Sequence, residues 1–472
     1  MSSSQSHGPD QHTERAELII AAAHRAAAYV AAAPERGVFP EEEALRGLDR
    51  FPRDLGDKGL GAAEAVAMLD ELGSPATVAS TGGRYFGFVT GGTDPAASAA
   101  SVLLSAWDQN LALPVMSPVA AMLDELASRW CRELLGLPES AVVTFCSGAS
   151  IANLTCLVAA RDALLHRAGW NVEERGLAGA PRLRVVASAE IHASVSKALR
   201  AAGIGTDQIE SAPTDECGRV AVDRFPTVDG LTLVLLQAGN VNTGHSDPFS
   251  EIIPMARREG AWVHVDGAFG LWAGASEARR HLVGGVELAD SWATDAHKWL
   301  NASYDSGIAV CRDPEDLRRA MSFDAAYLAG DAERAAAHLG LQMSQRARGA
   351  EVWAILTSLG RNGVAELVDR CCRLAEQMAG LLEAAGARLL VPPALNQVLV
   401  QFDDDATTDA VIAAVQSDRT CWAGGTVWQG RRAMRISVSD AATDADDIAS
   451  SAEAIVRCWR RIAAEGGGSA DA

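Results

Sequence analysis

Between about residues 85 and 315 the chain repeats one rhythm. A short run of apolar residues is followed by a turn of small residues, then by a longer stretch whose apolar positions recur at helical spacing. The runs are AVVTF (141–145), RLRVVAS (182–188), LTLVLLQ (231–237), AWVHVD (261–266), SWATD (291–295) and GIAVC (307–311). Runs that are apolar throughout, rather than alternating, predict strands buried on both faces, with the helical stretches as crossovers between parallel neighbours. The expected fold class is therefore α/β, a mostly parallel sheet covered on both sides. Residues 15–84 read as an N-terminal helical segment interrupted by Pro34 and Pro40. Past Arg346, long helical patterns lead to strands at NQVLVQF (396–402) and AMRISVS (433–439) and a last helix near 444–463. The expected division is a large domain over 85–345 and a small α+β domain over 346–464, with residues 1–14 and the tail 465–472 disordered.

Composition narrows the partners. The formal net charge is −20 and no Lys/Arg run is present, so no basic face is available for nucleic acid. Nine cysteines are scattered without CxxC pairs, which argues against a disulfide framework or a zinc site and for a reducing, cytoplasmic compartment. The polar start MSSSQSHGPDQHTER lacks the marks of a signal peptide. The stretch 16–33 is apolar but interrupted by Glu17, His24 and Arg25, and reads as a helix docked on protein rather than a membrane span.

Four segments carry chemistry. TDAHKWLN (294–301) places Lys298 just past a buried run, where desolvation favours a neutral, nucleophilic amine. AWVHVDGAFG ends a strand on Asp266, followed by the small Gly267 and Ala268. A pyridoxal 5'-phosphate (PLP) site needs such a carboxylate against the pyridine nitrogen and a small residue beneath the ring. VVTFCSGASIANL (142–154) sets Gly148, Ala149 and Ser150 at a helix start, which offers N–H groups to an anion. SAEIHASVSKAL (188–199) puts His192 at another strand-to-helix turn, where an imidazole can stack on a ring. Singly, each has a plainer reading: a snorkelling lysine, two helix caps and a structural histidine. Together they lie at strand ends facing one crevice, where open α/β sheets bind ligands.

In this order the segments resemble the group II PLP-dependent amino-acid decarboxylases, the family of aromatic-amino-acid, histidine and glutamate decarboxylases, over about residues 55–460. VHVDGAFG and ADSWATDAHKWLNASYDSG carry the resemblance most specifically. It implies the PLP-dependent transferase-like fold type I, a homodimer with active sites at the interface, and decarboxylation of an L-amino acid to a primary amine and CO2. It further implies an aldimine on Lys298, Asp266 on the pyridinium, and His192 and Ala268 on the two faces of the ring. Gly148, Ala149, Ser150 and His297 would hold the phosphate. RYFGFVTGG (84–92) resembles the substrate-side loop, which makes Phe88 and Thr90 candidate substrate contacts; a packed aromatic and a turn hydroxyl fit them equally.

Two departures stand out. The lid region 326–349 is short, and Ala336 aligns where family members carry a proton-donating tyrosine; Tyr327 and His338 are the candidate substitutes. In QAGNVNTGHSDP (237–248), Asn240 replaces a threonine beside the cofactor. These departures leave open oxidative deamination to an aldehyde, and C–C lyase or transaminase chemistry in which Arg435 would hold the α-carboxylate. A non-catalytic protein that kept the fold would have no use for Lys298, Asp266 and His192 together. Phe88, Trp107 and LALPVM (111–116) line a pocket or fill core, and the lack of a cationic cluster there disfavours a glutamate-like substrate. Arg346 and Arg348 read either as contacts to a neighbouring subunit or as ordinary surface.

Overall fold

The computed structural model describes residues 9–323 and 335–467. Seven strands form the main sheet: β1 (Val142–Cys146), β2 (Arg184–Ser188), β3 (Ile209–Ala212), β4 (Thr232–Gln237), β5 (Trp262–Asp266), β6 (Ser291–Asp295) and β7 (Gly307–Cys311). Their order is β1-β7-β6-β5-β4-β2-β3, and β7 runs antiparallel to both its neighbours while the rest are parallel. Alternate residues of one strand feed two cores. Val185, Leu233 and Leu235 pack with Leu157, Leu164 and Trp262 on one face. Val186, Val234 and Leu236 pack with Val263, Val265 and Trp292 on the other. This two-sided burial is what the unbroken apolar runs require.

Register decides where the chemistry sits. Gln237 pairs with Asp266, and Asp266 with Ala293, so β4 and β5 end level while β6 runs two residues further, to Asp295, at the same edge. Helix Ala149–Arg167, buried along most of its length, starts at that same edge after β1. Gly148 precedes it with φ 150°, outside the backbone range that side chains favour.

Strands β8 (Arg388–Leu389), β9 (Gln397–Gln401), β10 (Gly424–Trp428) and β11 (Arg431–Ser437) form a second, antiparallel sheet ordered β10-β11-β9-β8. The two sheets are joined by the 37-residue helix Arg348–Ala384, which breaks at Gly360 with φ 61° and ψ 180°. The sequence pattern did not show β3, an IESA edge strand with no apolar run, nor the glycine-led β10.

Two expectations change, and one contact ties the expected domains together. The first helix runs Pro9–Ala32, so residues 9–14 are its opening turns rather than disordered; a proline at the first helical position suits it. The last helix continues through Gly467, into the expected tail. The start of the large domain is stitched to the small one: Phe86 N–H donates to Trp422 O at 2.8 Å, and Ser437 N–H to Phe86 O at 3.0 Å.

Candidate active site

Lys298 follows β6 by three residues, and its Nζ lies 2.9 Å from Asp295 Oδ2. The carboxylate of Asp295, 2% exposed, also accepts the Ala149 N–H at 2.5 Å through Oδ1. His297 Nε2 stands 3.7 Å from that same oxygen. His297 Nδ1 accepts the Ser306 N–H at 3.1 Å, so the neutral ring carries its proton on Nε2 and points it at Asp295. Burial lowers the His297 pKa, which favours that neutral form. The packing here admits no side chains: a Cβ on Gly148 would come 3.1 Å from the His297 ring, and one on Gly91 would come 1.9 Å from the Lys298 carbonyl oxygen.

One strand away, Asp266 is buried at the end of β5 and accepts the Ala268 N–H at 3.2 Å. Burial raises its pKa, while Lys298 and His192 pull it back. A buried carboxylate in that position gains from any further cation brought against it. His192 caps helix Ala193–Ala201; its Nδ1 lies 2.7 Å from Ser194 Oγ and accepts the Ser194 N–H at 3.3 Å. Desolvation by the crevice walls lowers its pKa although the ring is open to solvent. His264, lower on β5, ties the two halves together: Nε2 bonds Asn153 Oδ1 on the Ala149–Arg167 helix at 2.8 Å, and Nδ1 bonds Ser291 Oγ on β6 at 2.9 Å.

The structure therefore gathers Gly148, Ala149, His192, Asp266, Ala268, His297 and Lys298 at one edge, with the exposed Ser150 at its mouth. Asn240 is turned elsewhere. Its Oδ1 accepts the N–H groups of Asn242 and Thr243, and its Nδ2 faces the Gly218 turn near Trp428, because the 239–246 loop needs a cap of its own. Phe88 is 65% exposed and stacks on Trp422 at 5.3 Å, at consecutive left-handed residues 88 and 89 with φ 56° and 55°. Thr90 sits in the adjoining turn, its N–H on Gly87 O. His338 stacks on Phe323 at 5.0 Å. Tyr327 lies outside the described residues. Arg348 binds Asp305, and Arg346 reaches Asp305 and the buried Glu351, which makes that pair a brace within the chain.

Four residues were not singled out from the sequence. Asp295 and Tyr304, whose ring packs 4.4 Å from that of His297, lie inside motifs read for their lysine. Trp422 lies far along the chain and left no local signal. Glu351 holds Ser303 N–H at 2.6 Å and Ser101 Oγ at 3.0 Å from the long helix.

The donor set fits PLP. A buried carboxylate stands where a pyridinium needs one, a lysine stands at a strand end, and a glycine-led helix start presents a buried N–H for a phosphate. Such a donor set is that of an α/β protein with a PLP site. The model of the pyridoxal-dependent decarboxylase conserved domain matches residues 76–403, and the chain belongs to that family. It is 28% identical over 377 residues to the acidic amino acid decarboxylase of Mus musculus, covering 76% of this chain and 66% of that one. It is 29% identical over 345 residues to the aromatic-L-amino-acid decarboxylase of Bacillus atrophaeus, covering 70% of this chain and 67% of that one. The matches thus span about two thirds of those relatives' own length. Its fold is shared with Oryza sativa TDC solved with PLP and tryptamine, at TM-score 0.88, 22% identity and coverage of 97% and 99% of the two chains.

Proposed function

We propose that this protein decarboxylates an L-amino acid with PLP held on Lys298. The observation that carries the reading is the convergence of Lys298, Asp266 and the Gly148–Ala149 helix start on one crevice. Bound there, PLP supplies the electron sink for the bond that breaks. Lys298 would hold the cofactor through its amine. Asp266 keeps a proton on the ring nitrogen, and the cation so formed offsets the cost of burying the carboxylate. His192, its Nδ1 committed to Ser194, keeps its proton on Nε2 and presents a neutral face to the ring.

Arg435 on β11, weighed from the sequence as a holder of the α-carboxylate, adds a cation to the site. It is partly buried, and its guanidinium makes no hydrogen bond or ion pair among the described residues, so desolvation lowers its pKa. This supports a substrate with a second, side-chain carboxylate, since pairing would relieve a desolvated guanidinium. Oxidative deamination remains the second reading, supported by the buried Ala336 at the position where the tyrosine is expected. The test is a visible spectrum of the purified protein with assays of CO2, amine, aldehyde and peroxide across acidic and aromatic amino acids. Amine with CO2 supports decarboxylation, and aldehyde with peroxide moves the assignment to deamination. A band that survives Lys298→Ala removes the lysine from its role.

We further propose a homodimer. Val102, Leu103, Trp107, Val115, Met116 and Met122 are exposed apolar residues on and between neighbouring helices. The stretch Thr13–Glu35 is apolar enough by length and composition to cross a membrane, yet only 6% of it is buried within the chain. A second copy would cover both surfaces. Sedimentation at micromolar concentration tests this, and a monomer there would refute it.

A further inference from the structure

We infer that Asp295 is a built-in occupant of the phosphate site, a carboxylate that the cofactor's phosphate must displace. This rests on the reading of Lys298 and the Ala149 helix start as the PLP site. Lys298 Nζ, the amine reserved for the cofactor's aldehyde carbon, pairs with Asp295 at 2.9 Å, and two groups that an entering phosphate would use face the same carboxylate: the Ala149 N–H at 2.5 Å and His297 Nε2 at 3.7 Å. The last is the protonated nitrogen, because Nδ1 is spent on Ser306. The helix has no cap of its own, since Gly148 carries no side chain, and Asp295 reaches across from β6 to supply it. At 2% exposure the carboxylate has almost no water to retreat into.

Charge makes the two occupants compete. A phosphate monoester brings about −1.5 to −2 charges. Asp266 and Asp295 already bring two carboxylates to a crevice whose nearest cation is Lys298. A phosphate seated beside an ionised Asp295 would share its donors and repel it in a poorly screened space. Asp295 therefore positions Lys298 and caps the helix while the site is empty, and it gives up its donors as the phosphate arrives. The phosphate end of the cofactor then contributes less affinity than its donor set alone would give.

The test compares PLP with pyridoxal, which lacks the phosphate, on cofactor-stripped protein, wild type and Asp295→Asn, by absorbance titration. Asparagine keeps an oxygen for the Ala149 N–H but removes the charge. The expected result is that PLP binds the variant about tenfold or more tightly, 1.4 kcal/mol per decade, while pyridoxal binds both proteins alike. Inorganic phosphate alone should raise the melting temperature of stripped D295N more than that of stripped wild type. Equal or weaker PLP binding by the variant overturns the inference, and so does a gain shared by pyridoxal, which would indicate a merely structural change. If D295N does not fold, wild type decides: a phosphate that adds less than about tenfold in affinity supports displacement, and one that adds about a thousandfold refutes it. A wild type that gives no Lys298-dependent band with either compound fails the site assignment itself, a separate outcome.

Discussion

The two ends of the crevice are built on opposite principles. At the ring end, Asp266 is buried and its charge is incompletely met, so that end gains when a cationic ring arrives. At the phosphate end, the Ala149 N–H is already engaged by Asp295, which also pairs with Lys298 Nζ. One end is left in need and the other is satisfied in advance. The contrast teaches that affinity and reactivity can be set separately: the ring end controls chemistry, and the phosphate end controls how firmly the cofactor stays.

The largest effect should come from the residue common to both ends. Lys298→Ala should lose the visible band and lower turnover about a thousandfold or more, read by spectrum and CO2 release. Asp266→Asn should next cost about 10²- to 10³-fold in kcat with the cofactor still bound, because one preorganised charge is removed. Gly148→Ala attacks the other end. Its Cβ meets His297 at 3.1 Å and its φ suits glycine, so cofactor dissociation should rise about tenfold, with activity partly restored by added PLP. Arg435→Gln should raise KM several-fold for acidic amino acids and leave aromatic ones unaffected; equal effects on both would detach Arg435 from the substrate.

The smallest effect concerns the tie between the ends. Burial holds the His264 pKa down at about 3, against about 6.5 in the unfolded chain. Below pH 6.5 the unfolded chain takes up the proton and the folded one does not, so the stability His264 contributes is present above 6.5 and is lost as pH falls. Wild type should lose up to about 1.4 kcal/mol per pH unit relative to His264→Gln between pH 6.5 and 4, measured by urea unfolding. Parallel curves would show that His264 is protonated in the fold.

The sequence was most legible where one face of the physics dominated. Continuous apolar runs marked β1, β2 and β4 to β7 within a residue or two, because a strand buried on both sides has no polar alternative. The edge strand β3 and the glycine-led β10 lacked that signal, since their pairing comes from neighbours rather than their own composition. In the site, Lys298, Asp266 and His192 were legible as rare residues at strand ends. Asp295 stood in plain view three positions before the lysine but read as the end of a strand. Its role depends on a backbone N–H 146 residues away, which no local pattern encodes. Asn240 was placed by analogy with a threonine, and its own loop claimed it. Trp422 shows only in the glycine at 87, where any Cβ would strike the indole.

The break at Gly360 carries a mechanical consequence. Its dihedral pair is open essentially to glycine alone. No atom lies within 4 Å of where its Cβ would be, so the position is constrained by backbone geometry and not by space. The long helix is therefore two levers on one pin. The first, before Gly360, holds Glu351 and the brace on Asp305; the second, after it, packs beneath the β8–β11 sheet. The pin sets the angle at which the small sheet meets the crevice, and Asn301, three residues past Lys298, fixes that meeting by donating to Ser439 O at 3.0 Å and accepting the Ala441 N–H at 2.9 Å.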